Sequence, residues 1–372
     1  MQPIDQATQT VFADLNQRTL DAAFDEAFPE NGSFSRSTVK GRDYWYYDGY
    51  EPLTGKKSRK YVGPASDEAI SSRVEAFDRN KTALKARLEA VRMLRAAGLP
   101  VPDAMTGALV DKIARAGFFR LRGVLIGTIA FQTYPGLVGA RPERYLQTGD
   151  IDLAQDHGIS IAIDDNMSPV LEKIAQIDLS FRAVSNMTDG RKTTSYVNAR
   201  GYKIEFLVPN RGSDDHSGKP STMPALAGTA AQPLRFLDFL IRHPARSVLL
   251  YGGGVPVTVP APTRYAIHKL IVATRRKDRE KAAKDLGQAS FLIEALVRLN
   301  GFELIEAWME AWQRGPTWRH ALTLGKTRLT SEIGGMLDEA AERWAPQFGV
   351  SSDDIGLAGM PVQLAGKPVR PS

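Results

Sequence analysis

At 372 residues the chain is long enough for two or three domains and a sizeable core, and its 43% hydrophobic and 24% charged residues are those of an ordinary globular protein. The absence of cysteine excludes disulfides and thiolate metal sites, and five scattered histidines give no zinc pattern, so any metal would sit among oxygen ligands, as Mg²⁺ or Mn²⁺ does. A net charge of +6 suggests a polyanionic partner, while a start without a basic, apolar leader and the lack of any ~20-residue apolar run predict a cytoplasmic protein with no membrane span.

In chain order, residues 1–30 read as one short amphipathic helix. Residues 33–64 place aromatic and β-branched residues around the turn-like "DGYEPLTGKK" and predict a β-hairpin or small ribbon. Residues 66–97 form a long amphipathic helix closed by Gly98 and Pro100, and a second helix covers about 104–117. "RLRGVLIG" is a short strand, and "TIAFQTYPG" a helix start cut off by Pro135 and Gly136. "DIDLAQ" and "ISIAID" fall in a strand region, and "MSPVLEKIAQI" is a helix with proline at its start. "TTSYVNA", "YKIEFLVP", "SVLLYGG" and "VPVTVP" are strands, and 211–233 is a polar loop or lid. From Pro262 on the pattern is helical. The fold class is α+β: an N-terminal region at 1–117 carrying the ribbon, a mixed-sheet core at 118–260, a helical domain at 261–346 and a tail at 347–372.

The stretch "QTGDIDLAQD" poses the chemical question. In a strand, Asp150 and Asp152 share one face, about 7 Å apart, while Ile151 and Leu153 point into the core. Strands are poor in Asp, and two such carboxylates repel each other unless a divalent cation is shared between them. Two solvated acids on an edge strand are the bland alternative. Upstream, "GVLIGTIAF" places Gly127 and Thr128 between a strand end and a helix start, a geometry that suits phosphate. Downstream, "YKIEFLVP" puts Glu205 on a strand with Ile204 and Phe206 facing the other way. A phosphate cradle, paired aspartates and a third carboxylate are the parts of metal-assisted phosphoryl or nucleotidyl transfer.

These residues resemble the minimal nucleotidyltransferases of the polymerase-beta-like superfamily. Their signature runs strand, Gly-Gly or Gly-Ser/Thr, helix, Asp-h-Asp-h, then a later strand with a third Asp or Glu. The matching positions are Gly127 and Thr128, Asp150 and Asp152, and Glu205. The resemblance implies a mixed sheet flanked by helices, dependence on Mg²⁺ or Mn²⁺, and transfer of an NMP from an NTP to a hydroxyl. The order "VPVTVP" then "PTRYAIHKLIVATRR" is similar to the branch that includes abortive-infection toxins and antibiotic adenylyltransferases, where a helix after the last core strand supplies a phosphate-contacting lysine. Lys269 matches that lysine, Arg276 extends its cationic face, and Asp285 resembles an acidic position that follows it. The span from Thr128 to Asp150 is longer than in the compact motif, an insertion at the mouth of the site. Lys269 as an ordinary snorkelling lysine remains open, and His268 is read as packing.

The ribbon interleaves basic and aromatic residues. Arg42, Lys56, Lys57, Arg59 and Lys60 would track phosphates while Trp45 and Tyr47 stack bases, which makes RNA the candidate acceptor. Tyr44 and Tyr46 share one face of the strand and Trp45 and Tyr47 the other, so one aromatic face must be packed. A hairpin that merely braces the following helix is the rival. For the whole chain, the rivals to a nucleotidyltransferase are a non-catalytic nucleic-acid-binding protein on the same fold and a metal-dependent phosphodiesterase. Oligomeric state and base preference leave no mark in the sequence.

Overall fold

The structure is a computed structural model that describes residues 1–21, 32–39, 41–50, 57–143, 149–162, 166–210 and 219–357. At its centre lies a mixed sheet, seven-stranded among the described residues. The acid strand, Asp150–Ala154, pairs antiparallel with Val124–Ile126 on one edge and parallel with the glutamate strand, Lys203–Pro209, on the other. The glutamate strand is then shared. Its first half pairs antiparallel with Thr193–Val197 and its second half parallel with Ala230–Leu234. Alternation explains the placement: Ile151, Leu153, Ile204, Phe206 and Val208 are all at most 2% exposed, which turns the polar residues of both strands to the opposite face.

Helices Pro262–Arg275, Arg279–Gln313, Pro316–Lys326 and Ser331–Trp344 follow, and the second bends where Asn300 leaves helical geometry. Their apolar residues join the sheet in one continuous cluster that includes Phe131, Tyr265, Leu270 and Trp308. At the N-terminus, helices Gln6–Asp21 and Glu68–Ala96 meet the hairpin Ala245–Leu249/Val255–Val259 through a smaller cluster around Leu15, Leu94 and Val248.

Four expectations change. The ribbon is a three-stranded antiparallel sheet, Ser33–Val39, Arg42–Tyr50 and Lys57–Pro64, not a two-stranded hairpin. "ISIAID" is not a strand: helix His157–Ala162 forms because the Asp156 carboxylate accepts from the backbone N–H groups of Gly158 and Ile159 and so caps it. Pro135 does not end the helical run but sits in the first turn of a second short helix, Tyr134–Val138, where no N–H is needed. Within the expected loop 211–233, Ala230–Leu234 is a sheet strand, while 211–218 lies outside the described residues, as do Asp164 and Asp165 and most of the tail.

Candidate active site

Register decides which polar groups meet. Because the acid and glutamate strands run parallel, Lys203 stands beside Asp150 and Glu205 beside Asp152, giving two rows of charge on one face. Lys203 Nζ lies 2.5 Å from Glu205 Oε1. Asp150 is exposed and Asp152 half-buried. Burial pushes the Asp152 carboxyl up to about 6, with Glu205 and then Asp150 adding to the rise and Lys269 and Lys203 opposing it. Burial and the neighbouring carboxylates thus act together against the ionised form of Asp152.

Ile126 pairs with Asp152, so the chain turns at Gly127 directly over that carboxylate. Gly127 has φ +69°, and a Cβ there would fall 2.3 Å from Asp152 Oδ2. No other residue type fits without moving the acid. Helix Gly127–Phe131 starts here with no side-chain cap, and Thr128 is buried in its first turn. The Tyr265 hydroxyl, 2.9 Å from the Gly127 carbonyl oxygen and 3.0 Å from Gln288 Oε1, fastens this turn to the two C-terminal helices.

Those helices bring in the basic groups. Lys269 is 8% exposed and ion-paired with Asp285 at 2.5 Å, and Arg276 Nε binds the other oxygen of Asp285 at 3.0 Å. Burial alone would raise the Asp285 carboxyl, but Lys269 and Arg276 outweigh it and hold it below the ordinary value. Lys269 is thus no solvent-exposed snorkeller; its field reaches Asp152 while its ammonium rests on Asp285. His268 is buried, neither ring nitrogen is hydrogen-bonded among the described residues, and desolvation drives it down to about 3, so it is a neutral packing group. Sequence reasoning missed Lys203, Tyr265 and Lys284. Lys203 was findable, since two residues before Glu205 in a strand is the same face. Lys284 had no sequence signal: burial and Lys269 pull its pKa down while Asp285, Asp150 and Asp152 push back, so it lies within electrostatic reach of the same acids.

The donor set suits a hard divalent cation that keeps part of its shell for phosphate oxygens. Among the described residues no group of three carboxylate or imidazole side chains is placed to hold a metal ion, so Asp150, Asp152 and Glu205 do not converge as a three-ligand set, and Glu205 is instead ion-paired with Lys203. Two carboxylates under a turn that lacks a Cβ leave open positions, and Mg²⁺ commonly takes one or two carboxylates plus substrate phosphates.

The basic-aromatic ribbon packs on the helix Glu68–Ala96. Tyr47 is 2% exposed and packs edge-on against Phe34 and Phe77. Trp45 Nε1 donates to Ser71 Oγ on the helix Glu68–Ala96. The packed aromatic face is therefore the Trp45/Tyr47 face: burial closes Tyr47 to an expected base, while Trp45 stays half-exposed. The opposite face carries Tyr44 and Tyr46, with the Arg59 guanidinium 4.5 Å over the Tyr46 ring. Arg42 and Lys57 are exposed, and Arg59 also pairs with Asp48. Lys56 and the Lys60 side chain lie outside the described residues.

A family model described as "Nucleotidyltransferase" matches residues 104–313, more than half of the chain. No curated protein matches. Among solved structures, an antigenic nucleotidyltransferase-like protein from Paracoccidioides brasiliensis is similar at 16% identity and a TM-score of 0.28, covering 60% of this chain and 95% of that one.

Proposed function

The chain belongs to the nucleotidyltransferase family, and from that premise we propose that it moves a nucleoside monophosphate from an NTP to a hydroxyl acceptor, with a divalent cation held by Asp150 and Asp152 and Glu205 as the third carboxylate. The observation that carries this reading is the Asp152 carboxyl, raised to about 6 in a cluster of like charges and roofed by a glycine that leaves no room for a Cβ. A bound Mg²⁺ would neutralise charge on the phosphates and lower the pKa of the attacking hydroxyl. The chain's own groups position the substrate. The uncapped turn at Gly127 and Thr128 offers backbone N–H groups to phosphate oxygens. Lys269 and Lys284 bring positive charge to the acid face, and a triphosphate would compete with Asp285 for Lys269 and Arg276. In the transfer, the acceptor oxygen forms a bond to the α-phosphorus, the bond to the bridging oxygen breaks, pyrophosphate leaves, and the hydroxyl proton passes to a carboxylate of the cluster.

Incubation with each α-labelled NTP, with Mg²⁺ or with EDTA, tests the reading. Label should move onto an acceptor only with the metal. Release of free NMP with no labelled acceptor would replace transfer by hydrolysis.

For the acceptor, the reading is RNA held by the outer face of the ribbon. What favours it is Arg59 stacked on Tyr46 beside Tyr44, with Arg42 and Lys57 exposed nearby, a face that combines phosphate and base recognition. Neutralising Lys56, Lys57, Arg59 and Lys60 together should weaken RNA binding and flatten its salt dependence. Unchanged affinity and salt slope would leave the ribbon as a brace.

A further inference from the structure

A cavity with basic groups in its walls lies toward the end of the sheet opposite the acids. It has a volume of about 710 Å³ and is lined by Arg87, Arg115, Arg120 and Arg246, with Asp111 the one carboxylate among its described walls. It is separate from the acid site by topology. Val124 pairs with Ala154 and Ile126 with Asp152, so the segment that leads into this strand, Gly117–Gly123, lies at the end of the sheet away from Gly127 and Asp150. Arg120 belongs to that segment.

The chemistry of the walls selects the ligand. Asp111 is ion-paired with Arg115 Nε at 2.9 Å, so the lining keeps an excess of three guanidinium charges over one neutralised pair, which in a concave surface concentrates positive potential and disfavours cations. Arg87 is 3% exposed, so one of the four charges sits deep, while Arg115, Arg120 and Arg246 are on the rim. Guanidinium forks match phosphate oxygens two at a time. Tyr251 and Phe119, both half-buried, add ring faces to the same cavity. Phosphate-binding forks beside aromatic faces are the recognition set of a nucleotide, and the volume falls in the usual range for small-molecule sites.

The walls also come from separate parts of the chain, and Asp111, Arg115, Phe119 and Arg120 lie on and just after the helix Ala104–Arg115. Leu84 and Arg87 belong to the helix Glu68–Ala96, whereas Arg246, Tyr251 and the Gly252–Gly254 turn belong to the hairpin that flanks the core. The turn is pressed against the helix: a Cβ on Gly253 would come 2.6 Å from Leu84 Cδ1. We propose that this seam is a second nucleotide site, at which a nucleoside phosphate bridges the N-terminal helix and the core as an effector rather than as the substrate of transfer. Occupancy ties the helix Glu68–Ala96 to that hairpin.

Titration calorimetry of the full chain with ATP, in EDTA so that no divalent cation supports binding at the acids, tests this. One molecule of ATP should bind, and thermal stability should rise with ATP concentration. The doubly charge-reversed variant Arg120→Glu/Arg246→Glu, both at exposed positions, should weaken binding by at least about tenfold, the scale of one lost bond to a charged group. Asp150→Asn/Asp152→Asn should bind as the parent does. Unchanged affinity in the arginine variant overturns the proposal, as does tighter binding in the aspartate variant, which, with repulsion relieved and no metal present, would move the site to the acids. Adenosine binding as tightly as ATP overturns the phosphate assignment, and inorganic tripolyphosphate binding as tightly as ATP overturns the nucleoside. Circular dichroism spectra matching the parent's make loss of binding in the arginine variant a property of the site.

Discussion

The acid strand Asp150–Ala154 and the ribbon strand Arg42–Tyr50 obey the same two-residue alternation, yet only the first declares its faces. In "DIDLA" one face is aliphatic and the other carboxylate, so burial has one solution: Ile151 and Leu153 go in and the acids come out. In "RDYWYYDGY" both faces are aromatic, and either could have packed. The helix Glu68–Ala96 settled it by presenting Phe77 to Tyr47 and Ser71 to Trp45. Alternation fixes which residues travel together; contrast between the two sets is needed to fix which set is buried.

The largest effect expected from breaking this comparison is at Tyr47. Tyr47→Ala should cost about 3–5 kcal/mol in denaturant unfolding, the range for emptying a buried aromatic site. A cost within experimental error of zero would mean that the ribbon's inner face does not hold it to the helix.

On the acid strand the effect should fall on rate instead. Asp150→Asn or Asp152→Asn should lower transfer by about two to three orders of magnitude, the scale of removing one electrostatic group from a preorganised site. The metal-free variants should melt no lower than the parent, because a like charge has been removed. Retained activity with a melting temperature many degrees lower would show these acids to be structural.

Acid titration sharpens the same contrast. Asp152 keeps its proton up to about 6 in the fold against 3.8 when unfolded, so the fold binds the extra proton. Its stabilising contribution is full below pH 3.8 and is lost as pH rises through 6. The gain from Asp152→Asn should therefore be present at pH 7 and vanish near pH 4. His268 works oppositely: it stays neutral down to about 3 in the fold but titrates at 6.5 when unfolded, so stability falls as pH drops from 6.5. Replacing His268 with Leu should flatten that acid limb with no change in the kinetics of transfer at neutral pH. Melts of the parent and both variants across pH 4–8 separate the two signs.

The smallest structural effect is expected on the ribbon's outer face. Tyr46→Ala, beneath Arg59, should change stability by about 1 kcal/mol or less, the range of a partly exposed cation–π pair. If RNA is the acceptor, the same change should cost about 1–3 kcal/mol of RNA binding. Equal RNA affinity for Tyr46→Ala and the parent would remove stacking from that face.

The sequence by itself determined the order of elements and the local chemistry. The aliphatic alternation of 150–154 and 203–209, the glycine at 127 and the helices after Pro262 were legible because each depends on neighbours a few residues away. Sequence periodicity misassigned "ISIAID", whose apolar spacing suits a strand, because one capping carboxylate at Asp156 was enough to make it a helix. Tertiary structure alone decided the rest. The parallel register that sets Glu205 beside Asp152 joins strands fifty residues apart, and the ion pair that seats Lys269 on Asp285 joins two helices across a bend. The cavity ringed by Arg87, Arg115, Arg120 and Arg246 draws its four charges from separate elements, each of which reads in sequence as an ordinary surface arginine. Local pattern encodes which face of an element is apolar; which charged groups converge depends on how those faces pack, and packing couples residues that sequence spacing keeps apart.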